Sequence, residues 1–176
     1  MKLTVTLLLV SFFAQSQNSG AGKDIGEKIK GHFLDKSKFT TAEVVRVRAA
    51  QGNPVEDGIS AAYEIRFSDR KLKPIKADCC DITLINEGDL NHDGKDELSV
   101  YQAPMNGCSY TMTTYALIKG QWQKIVYSYL VPTGCKTLSK KELQGLVFKK
   151  NQEIYYLSRD LSQEHGPWIR NKVNPK

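Results

Sequence analysis

From Phe39 onward, apolar and polar residues alternate along most of the chain, a pattern that indicates strands with one buried face. The clearest run covers residues 59–67, in which every second residue is apolar or aromatic. Similar runs lie at 44–49, 80–85, 98–102, 110–118, 121–131, 146–148 and 154–157. The pattern predicts a mostly β, antiparallel domain, and it leaves open a meander, a sandwich or a partial propeller-like sheet.

One segment near the start, residues 24–34, has a different spacing. Ile25, Ile29 and Phe33 recur at every fourth position, which would place them on one stripe of a short helix. Two glycines in the same segment lower its helix propensity. We therefore expect a single β-rich domain over residues 24–176 that begins with one short helix.

Residues 1–16 have the composition of a secretory signal peptide. A basic start precedes an apolar run, and the small residues Ala14 and Ser16 suit a cleavage site. The run is too short for a membrane span. We expect a flexible leader over residues 17–23 and a periplasmic or extracellular location for the mature protein.

The stretch most informative about chemistry is residues 89–97. Oxygen-bearing side chains recur at alternate positions as Asp89, Asn91 and Asp93, and a glycine that permits a sharp turn follows. The backbone carbonyl of Lys95 can then point inward, and Glu97 can close the far side. Calcium takes about six to eight oxygen ligands from carboxylates, amides, backbone carbonyls and water. The spacing therefore predicts a calcium site, and the alternative is a polar Asx turn that only joins two strands.

This loop differs from an EF-hand, because its twelfth position is Val100 instead of Glu and because strands are predicted on both sides. Residues 88–100 resemble the calcium loop of FG-GAP/VCBS-type repeats, the units of integrin α-like β-propellers, which carry D-x-[DN]-x-D-G-x-x-[DE] between two strands.

The resemblance implies a specific set of ligands. Side-chain ligands would be Asp89, Asn91, Asp93 and Glu97, with Lys95 as a backbone ligand. Asp96 has no ligand role in the motif and is expected to face solvent. The motif occurs once and the resemblance covers about twenty residues, so a complete propeller of several blades is not expected.

The four cysteines are an even number in a chain that is expected to be exported, which favours disulfide bonds. A bond between Cys79 and Cys80 is the least expected pairing, because it would strain the peptide that joins them. Adjacent strand residues point to opposite faces, so each could reach a different partner. We expect one to pair with Cys108 and the other with Cys135.

The formal net charge of +6 raises the question of an anionic partner. Nucleic-acid binding needs basic residues massed on one face beside aromatic ones, whereas here they are scattered in pairs, so no nucleic-acid partner is expected. A weak attraction to anionic envelope polymers is compatible with the charge. Near the C-terminus, His165 and Trp168 form a candidate binding edge, and the alternative is that Trp168 packs over the sheet.

The sequence contains no recognisable catalytic constellation. The three histidines lie in unrelated contexts, and no nucleophile elbow, zinc-protease motif or phosphate loop is present. The expected function is therefore that of an exported calcium-binding β domain that recognises an envelope protein or a polysaccharide. The alternatives are a secreted hydrolase acting on a polymer and a small inhibitor or immunity-type protein.

Overall fold

The computed structural model describes residues 25–53, 56–103, 107–133, 136, 138–160 and 166–173. These residues form strands and one short helix, α1, which spans Lys140–Gln144. The strands are β1 (Ile25–Asp35), β2 (Lys38–Arg48), β3 (Ala62–Phe67), β4 (Ile75–Asp78), β5 (Ile82–Gly88), β6 (Glu97–Gln102), β7 (Ser109–Ile118), β8 (Gln121–Pro132), β9 (Val147–Lys150), β10 (Glu153–Arg159) and β11 (Trp168–Lys172). The prediction of a mostly β, antiparallel domain is confirmed.

The strands form three sheets, and each sheet is a meander of consecutive strands. The first sheet has the order β1-β2-β3-β4, the second β5-β6-β7-β8 and the third β11-β10-β9. All pairings are antiparallel. The second sheet lies between the other two, because side chains from both of its faces enter a hydrophobic core.

The core between the first and second sheets contains Phe33, Ala42, Val44, Ile65, Leu72, Ile75, Leu84, Leu98, Val100 and Leu117. The core between the second sheet, the third sheet and α1 contains Ile85, Leu90, Tyr101, Met112, Val126, Val131, Leu143, Leu146 and Val147. Fully burying such a side chain stabilises the fold by about 1.5–3 kcal/mol. The described residues therefore form three antiparallel meanders with two cores between them, instead of the two sheets of a sandwich.

Strand β1 occupies the segment for which the sequence predicted a helix, and that prediction is wrong. Apolar residues four apart share a face in a strand as well as in a helix, so the spacing of Ile29 and Phe33 fits both. The two glycines let β1 pack closely against its neighbours as a strand, because a side chain at either position would clash with them. A Cβ atom on Gly31 would lie 2.6 Å from Cζ of Phe33 and 2.7 Å from Nδ2 of Asn86. A Cβ on Gly26 would lie 2.6 Å from the backbone oxygen of Val44.

The helix that the structure does contain, α1, begins at a capping box. The Ser139 side chain accepts a hydrogen bond from the Glu142 N–H, and the Glu142 carboxylate accepts one from the Ser139 N–H. Leu143 on this helix is buried in the second core. The sequence signal was a serine followed three residues later by a glutamate, which is typical of a helix start.

Candidate metal-binding loop

The predicted metal loop connects β5 to β6 and folds back onto the second core. Its Leu90 is only 5% exposed. Three of its residues have positive φ angles: 69° at Gly88, 64° at His92 and 81° at Gly94. The glycine at the sixth position of the motif therefore occupies a conformation that a residue with a Cβ adopts only with strain.

The alternating side chains of the loop turn inward onto its own backbone. The Asp89 carboxylate accepts hydrogen bonds from the N–H groups of Asp93 (3.1 Å) and Gly94 (3.0 Å). The Asn91 Oδ1 atom accepts one from the Asp93 N–H at 2.8 Å. The Asp93 Oδ1 atom accepts one from the Lys95 N–H at 3.0 Å. These Asx-type bonds gather three of the expected ligands around one turn.

Glu97 begins β6 and is fully buried. Its carboxylate accepts hydrogen bonds from the Leu90 N–H (2.6 Å), the Asn91 N–H (3.3 Å) and the Asn91 side-chain amide (2.9 Å). Burial is the main cause that raises the pKa of Glu97 to about 7. The nearby charges of Asp93 and Asp89 add to this rise, and the Leu90 and Asn91 N–H donors oppose it. A carboxylate offers about four lone-pair sites, so these three donors leave about one for a cation.

Among the residues that the structure describes, no three His, Cys, Asp or Glu side chains are placed to hold a metal ion together. The Asp89 and Asn91 side-chain oxygens both accept from the Asp93 N–H, whereas the Asp93 carboxylate bonds to Lys95. The ligand roles of Asp89, Asn91, Asp93, Lys95 and Glu97 all stay predictions.

Two ammonium groups approach the loop. The Lys95 Nζ atom binds the Asp93 Oδ2 atom of the same loop. Lys149, on β9, donates from Nζ to the backbone oxygen of Asp89 at 2.7 Å, and its Nζ lies 3.3 Å from Nδ1 of His92. The Lys95 ammonium thus lies against a predicted ligand, Asp93. The bond from Lys149 ties the start of the loop to the third sheet.

Asp96 ties the end of the loop to the first sheet, and the expectation that it faces solvent is wrong. Its carboxylate accepts hydrogen bonds from the His32 N–H at 2.8 Å and from the Asn86 side-chain amide at 2.9 Å. Its own N–H donates to the His32 oxygen at 3.1 Å. The Asn86 amide also donates to the Lys30 oxygen at 3.1 Å. No local sequence signal points to these partners, because His32 and Asp96 are 64 positions apart.

A solvent-open depression of about 510 Å³ lies beside the loop. Its lining comes from the turn after β1 and from the loop itself: Leu34, Asp35, Lys36, Asp89, His92, Asp93, Gly94 and Lys95. The loop oxygens are thus next to a surface that solvent ions reach.

The cysteines pair differently from the expectation. Cys79 and Cys80 are bonded to each other, their peptide bond is cis and their Cα atoms are 3.0 Å apart. The expectation placed both in a strand, where their side chains would diverge, but β4 ends at Asp78 and β5 begins at Ile82, so they lie in a bend. Cys108 is also disulfide-bonded. Cys135 lies outside the described residues.

The candidate binding edge near the C-terminus is described in part. Trp168 is the first residue of β11 and is 36% exposed, and the Arg159 guanidinium lies 4.4 Å from the centre of its ring. His165 lies outside the described residues. Trp168 therefore lies at the start of the outermost strand of the third sheet, with its ring against Arg159 of β10.

Comparison of the chain with known protein families, with curated proteins and with solved structures finds no match. No helix in the described part of the chain is long and apolar enough to cross a bilayer. The chemistry of the loop and of the sheet surfaces is therefore the basis for a functional assignment.

Proposed function

We propose that this protein is an exported β domain that binds one structural calcium ion in the loop between β5 and β6. The observation that carries the proposal is the inward turn of Asp89, Asn91 and Asp93 around a glycine at φ 81°. Oxygen atoms of carboxylates and amides are the ligands that calcium prefers.

The donor set fits the ion in number and charge. Asp89, Asn91 and Asp93 would supply side-chain oxygens, Lys95 its backbone carbonyl, Glu97 its remaining lone-pair site, and water the rest. The ion would offset the mutual repulsion of the carboxylates, which adds to the effect of burial on the pKa of Glu97. Because the loop amides already hold these side chains, little further ordering accompanies binding.

The position of the loop explains why an ion there would stabilise the whole domain. Asp96 connects it to β1, Lys149 connects it to β9, and the loop itself joins two strands of the second sheet. A ligand that binds only the folded state stabilises it by RT ln(1 + [L]/Kd), about 2.7 kcal/mol at a hundredfold excess over Kd. Sites in extracellular modules have Kd values of about 10⁻⁴–10⁻³ M, which external calcium can fill.

The proposal includes export and a recognition role. Export is supported by the composition of residues 1–16. A role in recognising an envelope protein or polysaccharide is supported by the rigid stack of sheets, which presents loops and strand edges to solvent. The recognition role makes no use of a catalytic group.

Thermal unfolding of the purified, oxidised protein in calcium and in EDTA tests the calcium site. We expect calcium to raise the unfolding midpoint by several degrees, since about 1 kcal/mol shifts it by about 2–4 °C at this size. The variant Asp93→Ala should lose that response. Asp81→Ala is the matched control, because Asp81 is exposed just before β5 and outside the loop. Equal midpoints of the wild-type protein in calcium and in EDTA would overturn the proposal.

A further inference from the structure

The third sheet is one strand shorter than the other two. The first and second sheets have four strands each, whereas the third has three and ends at β11. In the described part of the chain, β11 pairs with β10 and with no other strand. The pairing runs from Trp168 to Lys172 without a register shift.

The backbone geometry of β11 leaves hydrogen-bonding groups on its open side. The Val173 N–H donates to the Ile154 oxygen at 2.9 Å, and the Asp160 N–H donates to the Pro167 oxygen at 3.1 Å. In an antiparallel pair, successive residues alternate between bonding to the partner strand and pointing away from it. The backbone hydrogen-bonding groups of residues 167, 169, 171 and 173 therefore point toward β10. The N–H and C=O groups of Trp168, Arg170 and Lys172 point away from it.

Other sheet edges in the described chain are protected. On β1, the His32 N–H donates to the Asp96 carboxylate, and the Lys30 oxygen accepts from the Asn86 side-chain amide. On β5, the Leu84 N–H donates to the Glu27 carboxylate at 2.8 Å, and the Asn86 oxygen accepts from the Gln144 side chain at 3.4 Å. The pairing of β8 with β7 has two register irregularities. Strands β4 and β9 have four residues each. Bulges, short strands and side-chain caps are the usual protection against edge pairing.

Strand β11 has five residues in regular register, and no described side chain caps its outward N–H and C=O groups. Its protection is the positive charge of Arg170 and Lys172, which an acidic strand would neutralise.

The side chains of β11 carry the chemistry that selects a partner. Cross-strand partners share a face, so Arg159, Trp168, Arg170 and Lys172 lie on one side of the sheet with Lys150, Phe148, Tyr155 and Glu153. Basic groups outnumber acidic ones there, and the described ion pair on this face joins Lys172 to Glu153. Trp168 and Ile169 are 36% and 43% exposed.

We propose that the open edge of β11 accepts an acidic, extended segment of a partner protein as a fourth strand. Main-chain hydrogen bonds to Trp168, Arg170 and Lys172 supply the pairing, and the basic residues favour carboxylates on the added strand. A second copy of β11 would place basic residues opposite one another, which disfavours self-pairing. This inference rests on the proposed recognition role and names the class of partner. It does not depend on the proposed calcium site.

The test uses a synthetic peptide of about seven residues that alternates Glu with Val, long enough to span a typical strand. Its binding to the full protein is followed by fluorescence anisotropy in calcium buffer. The matched probe is the same peptide with Lys in place of Glu. We expect saturable binding of the acidic peptide and none of the basic one.

Amide hydrogen exchange of the wild-type protein gives the structural readout. Added peptide should slow exchange at Trp168, Arg170 and Lys172 and leave Ile169 and Asn171 unchanged, because their amides already face β10. This alternation is specific to a strand added at this edge.

Two substitutions at one position separate backbone pairing from charge. Arg170→Pro removes an outward N–H that β10 does not use, which an edge strand tolerates, and should weaken binding by at least about tenfold. Arg170→Gln keeps the N–H and should weaken it by about threefold. Lys124→Gln, at an exposed position of β8, is the control and should bind like the wild type.

Several results would overturn the inference. They are absence of acidic-peptide binding, equal binding of the basic peptide, peptide-induced protection elsewhere than at the outward amides, or dimerisation through β11 in place of peptide capture. If Arg170→Pro does not fold, the exchange pattern of the wild-type protein decides the question. Calcium binding is read from the unfolding midpoint in a separate experiment, so either proposal can fail alone.

Discussion

Replacing Gly31 by alanine tests directly whether residues 25–35 form a strand, because the strand and the predicted helix give effects of opposite sign. In an exposed helix, alanine in place of glycine would stabilise the protein by about 1 kcal/mol. In the strand, the new Cβ would lie 2.6 Å from Cζ of Phe33 and 2.7 Å from Nδ2 of Asn86. Ordinary carbon contacts are about 3.5–4.0 Å.

Neither neighbour can easily move away. Phe33 is fully buried in the first core. The Asn86 amide is hydrogen-bonded to the Lys30 oxygen at 3.1 Å and to the Asp96 carboxylate at 2.9 Å. Overpacking of this kind costs about 1–3 kcal/mol, and the lower entropy of an unfolded chain with alanine offsets about 0.4–1 kcal/mol. We expect Gly31→Ala to lower the free energy of unfolding by about 1–2 kcal/mol.

Urea unfolding followed by circular dichroism measures this change as a shift of the midpoint at constant slope. The control is Gly145→Ala, since Gly145 has a φ of −78° and its added Cβ would meet nothing nearer than 3.5 Å. We expect the control to unfold at or slightly above the wild-type midpoint. A Gly31→Ala protein as stable as the wild type, or more stable, would refute the packing of β1 against Asn86.

Three further predictions concern the loop, the helix and the core. Lys95→Met should tighten calcium binding several-fold in isothermal titration calorimetry, because the Lys95 ammonium competes for the Asp93 carboxylate; unchanged affinity would mean that this contact does not compete. Ser139→Ala should cost about 0.5–2 kcal/mol in urea unfolding through loss of the capping box, and a smaller loss would mean that packing alone holds α1. Leu98→Ala, at a fully buried position, should lower the free energy of unfolding by about 2–5 kcal/mol. Leu130→Ala, at a position that is 43% exposed, should change it by less than about 0.5 kcal/mol. Similar losses in the two variants would contradict the burial of Leu98.

Local pattern predicted much of the fold because most strands have one buried face. The alternation in residues 59–67 led to β3, and the runs at 110–118 and 121–131 led to β7 and β8. Strand β1 was missed because apolar residues four positions apart lie on one face of a helix and also on one face of a strand. Strands β4 and β11 were missed because four or five residues in polar surroundings show too little alternation to distinguish them from loops.

The same division between local and distant interactions holds at the loop. The inward turn of Asp89, Asn91 and Asp93 depends on amides no more than five positions away, so the sequence alone could predict it. The contacts of Asp96 with His32 depend on how two sheets meet, which no local pattern encodes. The bond between Cys79 and Cys80 was missed for a related reason, since the strand boundaries that place both in a bend come from pairing with distant strands.

The distant contacts determine what an ion in the loop could do. If Asp89, Asn91 and Asp93 were on an isolated hairpin, binding there would order only a few residues. Here Asp96 holds the loop to the first sheet and Lys149 holds it to the third, so loosening the loop would loosen contacts among all three sheets. Binding at the loop should therefore raise the midpoint of the whole unfolding transition.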